Sequence, residues 1–259
     1  MLRGRAWAYK PRVAWRALLL LVLALTGSGG ARAELPSLDD YAGLLADHVR
    51  LGEVGGLRVA LVDYPGLARD ARLARAVSAF ETFPLARLAG EAETLAFHLN
   101  AYNLFTLRLV AEHQPLADIR DLGHWWRPVW KQTVGRLDGR EVSLDDIEHG
   151  VLRPRGEPRI HFALVCASLS CPDLRAEPYR PATLDAQLDA QVRDFLANPG
   201  KGLARDAARV RVSRIFDWFA EDFAVAGGVR TFIAHYLPLP ATVTLDADLP
   251  YDWRLNARR

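Results

Sequence analysis

An α+β fold is predicted, as a single domain organised around one buried strand. The segment PRIHFALVCASLSCPDL, residues 158–174, alternates Ile160, Phe162 and Leu164 with Ala163 and Val165. Both faces are apolar, as in a strand enclosed within a sheet. Helical and strand periodicities follow one another along the chain without regular alternation, which argues against a doubly wound sheet. Half of the residues are apolar and a quarter charged, enough for one substantial core. The expected architecture is a small mixed sheet around a central strand, Ile160 to Val165, packed by several helices.

The N-terminus carries Arg3, Arg5, Lys10, Arg12 and Arg16, an apolar run from Ala17 to Leu25, and then Ala31-Arg32-Ala33. This order predicts a signal peptide over residues 1–33, cut after Ala33, and a mature domain over 34–259 that is periplasmic or secreted. The apolar run is about nine residues, against roughly 20 for a spanning helix, so no stable membrane anchor is expected after cleavage. Residues 1–33 hold six basic and no acidic side chains. Removing them from a chain with 33 basic and 31 acidic residues leaves 27 against 31, a net charge of −4. A mildly acidic protein without a basic block has no electrostatic reason to bind nucleic acid.

Along the mature chain, Leu38, Tyr41, Leu44, Leu45 and Val49 have helical spacing, and Gly55-Gly56 breaks the chain. Val59 and Leu61 begin a short strand that ends before Pro65. Short helices are expected from Ala68 to Leu88. The helix from Glu91 to His113 is apolar on all sides, with Asn100 and Asn103 three apart on one face. Those amides either lock a neighbouring loop through its backbone or line a cleft. Trp125, Trp126 and Trp130 follow, as a wall over a pocket or as core. Asp138-Gly139 predicts a tight hairpin turn, and Ser143 with Asp146 a capping box. In the short helix that follows, Glu148 falls within the apolar face and His149 at its edge; Glu148 needs a partner there, such as Arg153 or Arg159. Thr183–Leu196 is an amphipathic helix, Val210 and Val212 suggest a strand, and Phe216, Trp218, Phe219 and Phe223 an aromatic helix packed on the core.

Both cysteines, Cys166 and Cys171, lie in the loop after residue 165 with Ser168 between them. A thiol nucleophile requires a base within reach. His161 is five residues back along the expected strand, roughly 16 Å away and on the opposite face. His149 is therefore the favoured base for Cys166. Three other uses stay open: a disulfide, a redox pair with the loose spacing CxxxxC, and a zinc site with His149, for which no second ligand pair is evident.

The series FHLNAYNLFTLRLV, VSLDDIEHGVLR, PRIHFALVCASLSCPDL, IFDWFAEDF and YDWRLN closely resembles the DUF547 family, a group of uncharacterised domains in exported bacterial proteins and in plants. The family is distantly similar to papain-like and transglutaminase-like cysteine hydrolases, which place cysteine on a buried helix and histidine on a strand. Here Asn100 or Asn103 stands where that cysteine is expected, so either Cys166 takes its place or the domain keeps the scaffold without that chemistry. Family membership supplies no reaction; the leading expectation from the residues is thiol-dependent hydrolysis or transfer at an amide or thioester of a small or peptide-like substrate, and nothing requires a cofactor. Cys166 is then the nucleophile, His149 the base, and Asn100 with backbone amides the oxyanion donor, with Glu148 orienting the base or contacting substrate. Asn103, His161, Ser168 and Cys171 are the candidate substrate contacts. The competing class is a non-catalytic binding module with a structural Cys166–Cys171 disulfide.

Overall fold

The helix α4 (Glu91–Glu112) runs through the centre of the molecule, and most of its residues from Leu95 to Ala111 are buried. Glu91 and Glu93 in its first turn complement the helix dipole. The structure, a computed structural model, describes residues 35–206 and 209–258. The expected signal and its cleavage site lie outside the described residues. Among the described residues no helix is long and apolar enough to cross a membrane.

Two helices pack on α4, α2 (Tyr64–Arg69) and α3 (Ala71–Glu81), and α1 (Asp39–His48) packs on both of them. Asp63 caps α2 by accepting from the Gly66 amide at 3.0 Å, and Asp70 caps α3 by accepting from Arg72 at 2.9 Å. Between α1 and α2, β1 (Val49–Val54) and β2 (Leu57–Val62) form an antiparallel hairpin. Its turn needs Gly55 and Gly56, whose φ angles are 58° and 82°. A second hairpin joins β3 (Thr133–Leu137) to β4 (Arg140–Ser143), turning at Asp138 and Gly139 with φ of 51° and 75°. The turn chemistry read from that pair holds.

Ser143 and Asp146 form the expected capping box at the start of α5 (Leu144–Ile147). The helix then widens into a π-type turn over Glu148–Leu152. After the cysteine loop come α6 (Leu184–Leu196), β5 (Leu203–Arg205), β6 (Arg209–Val212), α7 (Ile215–Trp218), α8 (Val229–Tyr236) and β7 (Thr244–Asp246). β6 lies between antiparallel β5 and parallel β7.

The α+β class holds, but its expected centre does not. Residues 160–165 are not a strand: Pro158–Phe162 form a 3₁₀ turn, and the described strands make three separate small sheets. The segment is apolar on both sides because it runs between two cores. Ile160, Ala163, Leu164 and Val165 pack into the large core around α4, while Phe162 enters an aromatic core with Phe195, Phe216, Phe223 and Phe232. Its backbone is satisfied by side-chain amides instead of neighbouring strands. Asn103 donates to the Ala163 carbonyl at 2.9 Å and accepts from the Val165 amide at 3.0 Å. Gln191 donates to the carbonyls of Phe162 and Asp173 at 2.9 and 2.8 Å.

Asn103→Ala strands two buried backbone groups at once. The expected loss is roughly 2 to 3 kcal/mol, read from the urea midpoint. A loss below about 0.5 kcal/mol, within the usual surface range, would show that the clamp is dispensable.

Candidate active site

Cys166 is half-buried on the wall of a cavity of about 240 Å³, lined also by Tyr102, Trp130, Glu148, His149, His161, Trp218, Tyr251 and Trp253. The loop bearing it is held from two directions. Asn103 fixes residue 165 from α4, and the C-terminal segment pairs with the loop on its far side. There, Leu169 donates its amide to the Arg254 carbonyl at 2.9 Å, Ser170 to Asp252 at 3.2 Å, and Asn256 to the Ala167 carbonyl at 3.0 Å. Ala167 is left-handed, with φ of 58°, a strained value for alanine. The turn at Ala167 brings Ser168 and Cys171 back onto the Cys166 sulfur.

Four residues define the chemistry of that sulfur. Cys171 Sγ lies 2.7 Å away and Ser168 Oγ 3.2 Å, with Tyr251 Oη at 3.3 Å. Burial opposes the thiolate, but hydrogen bonds from Cys171, Ser168 and Tyr251 outweigh it and lower the Cys166 pKa from 9.0 to about 7. Cys171 is buried, accepts the Cys166 backbone amide at 2.7 Å, and has its pKa raised well above 9.0 by burial and by its neighbour's charge. The fourth residue is Glu148, on the π-type turn. Burial pushes its carboxyl from 4.5 up to about 7, against the opposing pull of a 3.3 Å bond from Tyr102 Oη and the charge of Arg153, while the charge of Cys166 adds to the rise. Near neutral pH, thiol and carboxyl titrate in the same range.

The histidines are engaged elsewhere. Arg153 donates to His149 Nδ1 at 2.7 Å, and because a guanidinium only donates, the ring proton is on Nε2, facing Asp145 Oδ1 at 3.5 Å. His149 lines the cavity, but it makes no hydrogen bond to Cys166; its 40 % side-chain exposure places it at the mouth. His161 donates from Nε2 to Asp222 Oδ2 at 2.7 Å and stacks on Phe219 at 4.0 Å. Burial lowers its pKa from 6.5 to about 4, only partly countered by Asp222. Asp222 is also gripped by Arg153, with contacts of 2.6 and 2.9 Å. A continuous chain thus joins His161, Asp222, Arg153 and His149 along one side of the cavity.

Asn100 does not reach this cavity. It is fully buried, and its amide is spent on Tyr179, donating to the carbonyl at 2.8 Å and accepting from the amide at 2.9 Å. The expected placement in the cleft is corrected for both helix asparagines, each of which secures backbone. Glu148 is bound by Tyr102; Arg153 pairs with Asp222, and Arg159 with Glu157 and Asp189. Of the tryptophans, Trp130 lines the cavity, whereas Trp125 and Trp126 stand 90 % and 65 % exposed, neither core nor wall. Ser168 touches the sulfur from outside the cavity lining.

Three further residues at the site, Tyr251, Asp222 and Lys201, lie outside the set expected from the sequence. Lys201 is buried and donates to the Cys171 carbonyl at 2.9 Å and to Asp173 at 2.7 Å, so it anchors the far end of the cysteine loop. The motif YDWRLN contained Tyr251, but an exposed-looking aromatic in a terminal segment gives no sign of which sulfur it meets. Among the described residues, no group of three His, Cys, Asp or Glu side chains is arranged to hold a metal ion.

A family model described as "Protein of unknown function, DUF547" matches residues 85–196. Residues 85–196 belong to the DUF547 family. The DUF547 match takes in Glu148, His149, His161 and both cysteines, and stops short of Lys201, Asp222 and Tyr251. No curated protein and no solved structure matches the chain.

Proposed function

We propose that this DUF547 protein is exported, cut after Ala33, and acts as a thiol-dependent hydrolase or acyltransferase on an amide or thioester. The observation that carries this reading is the hydrogen-bonded Cys166 sulfur facing a cavity that also holds the protonatable Glu148. The thiolate adds to the carbonyl carbon of the substrate. Tyr251, which lines the cavity and donates to the sulfur at rest, is the donor nearest the developing oxyanion. As the tetrahedral adduct collapses, the carbon–nitrogen or carbon–sulfur bond breaks and Glu148 gives its proton to the departing amine or thiol. Glu148, now a carboxylate, takes a proton from water, or from an acceptor amine or alcohol. That nucleophile releases the acyl group from sulfur, and both groups return to their starting states. Glu148 replaces His149 as proton carrier in this scheme because the accepting nitrogen of His149 is occupied by Arg153. The aromatic wall of Trp130, Trp218 and Trp253 favours a substrate with a flat apolar face next to the carbonyl.

The test is mass spectrometry of the reduced protein after brief exposure to an aryl thioester. One acyl group is expected on Cys166, absent in Cys166→Ala and formed more slowly in Cys171→Ala, which lacks one donor to the sulfur. Acylation of Cys171 alone, or of neither cysteine, would refute the assignment.

A further inference from the structure

The acyl-transfer scheme leaves Cys171 with no chemical step, although its sulfur is 2.7 Å from that of Cys166. We propose that Cys166 is an oxidation site for hydroperoxides and that Cys171 resolves it, closing a reversible disulfide that consumes the nucleophilic thiolate. The inference goes beyond the acyl-transfer reading and shares only the reactive sulfur with it.

The two sulfurs have unlike surroundings. Cys166 is half-buried on the cavity wall, where a small peroxide has access, and Cys171 is 4 % exposed behind it. Attack by the Cys166 thiolate on one peroxide oxygen breaks the O–O bond, gives Cys166 sulfenic acid and releases hydroxide (an alkoxide from an alkyl hydroperoxide). The Cys171 sulfur then attacks the sulfenic sulfur, the S–O bond breaks, and the Cys171 proton leaves with the hydroxyl as water. Peroxide is reduced by two electrons and the thiol pair is oxidised by two.

The fold has already brought the partners together. A disulfide requires about 2.05 Å between sulfurs, so closure moves them by less than an ångström. The loop between them is pinned by Ser168, Leu169 and Ser170 to the C-terminal segment, and the Cys171 carbonyl to Lys201. No unfolding is needed to form the bond. Tyr251 and Ser168, which donate to the Cys166 sulfur, are placed to stabilise the thiolate that attacks the peroxide.

The experiment treats the reduced mature protein with a small excess of hydrogen peroxide and reads intact mass, remaining thiols and acylation by the aryl thioester. The expected product has lost two hydrogens, carries a peptide-mapped Cys166–Cys171 disulfide, and no longer acylates until dithiothreitol restores it completely. In both Cys171→Ser and Cys171→Ala, the same peroxide adds two oxygens at Cys166, and dithiothreitol restores no thiol. Wild-type protein that gains oxygen at Cys166 while Cys171 remains alkylatable would overturn the proposal, as would a disulfide formed only after denaturation. Disulfide closure in a protein that never acylates would refute the acyl-transfer reading alone.

Discussion

Lys201→Met is expected to destabilise the protein by about 3 to 5 kcal/mol, the cost of breaking a buried ion pair from one side. The Lys201 ammonium is fully enclosed, and it bonds both the Asp173 carboxylate and the Cys171 carbonyl. Methionine fills much of the volume but donates nothing, leaving a carbonyl unpaired and a largely buried carboxylate with only the Ala60 amide, 2.6 Å away, as a donor. A urea midpoint shift with an unchanged slope is the measurement. Adding Asp173→Asn should recover part of the loss, since the orphaned charge is then gone. A loss under about 1 kcal/mol, the range of an exposed pair, would mean that the lysine is not an anchor. Because Lys201 holds the loop beyond Cys171, the variant should also form the cysteine disulfide more slowly.

Glu148→Gln is expected to change the pH dependence of stability. In the folded protein the carboxyl keeps its proton up to about pH 7, against 4.5 unfolded. Its contribution to stability is therefore complete below pH 4.5 and is lost as the pH rises through 7, by an amount on the order of 3 kcal/mol. Glutamine does not ionise, so the variant should gain on the wild type at pH 8 and show no such gain at pH 4. His161 works in the opposite sense: with its pKa lowered from 6.5 to about 4, its contribution is present above pH 6.5 and declines as the pH falls toward 4. Both proteins contain it, so it cancels in the difference. Equal urea midpoint shifts at the two pH values would show that burial does not raise the Glu148 carboxyl above its unfolded value. The same substitution removes the proposed proton carrier, so turnover of an amide substrate should fall by 10²-fold or more, while first acylation by a thioester, whose leaving thiol needs little help, falls less.

The elements legible in the sequence were those with local causes. The all-round apolarity of α4, the Asp138-Gly139 turn and the Ser143 capping box each depend on residues within one or two turns of chain. The misread elements have distant causes. Residues 160–165 look like a strand because two cores press on them, and what replaces the sheet is a set of amides from α4 and α6, contributed by Asn103 and Gln191. β1 was hidden because its residues are mostly exposed, with Leu51 68 % accessible, and α1 hands its period straight to Val49. At the site, Cys166, Glu148 and His149 share one cavity, as their proximity in sequence suggested. The commitments of His149 to Arg153 and of Asn100 to Tyr179 could not be seen, because Arg153 is placed by Asp222, and Tyr179 lies 79 positions beyond Asn100.

The pairing of residues 252–256 with the cysteine loop has a consequence for synthesis. Asn256 also donates to the Ala60 carbonyl, and Val62 donates its amide to the Asn256 carbonyl and accepts from the Arg258 amide, so this stretch joins the earliest described hairpin to the Cys166 sulfur. A ribosome-stalled or clipped chain lacking residues from 251 onward would contain both thiols without the phenol and peptide groups that arrange them. In such fragments the proposed acylation of Cys166 should be lost, so that chemistry would wait until residues 251–256 have joined the fold.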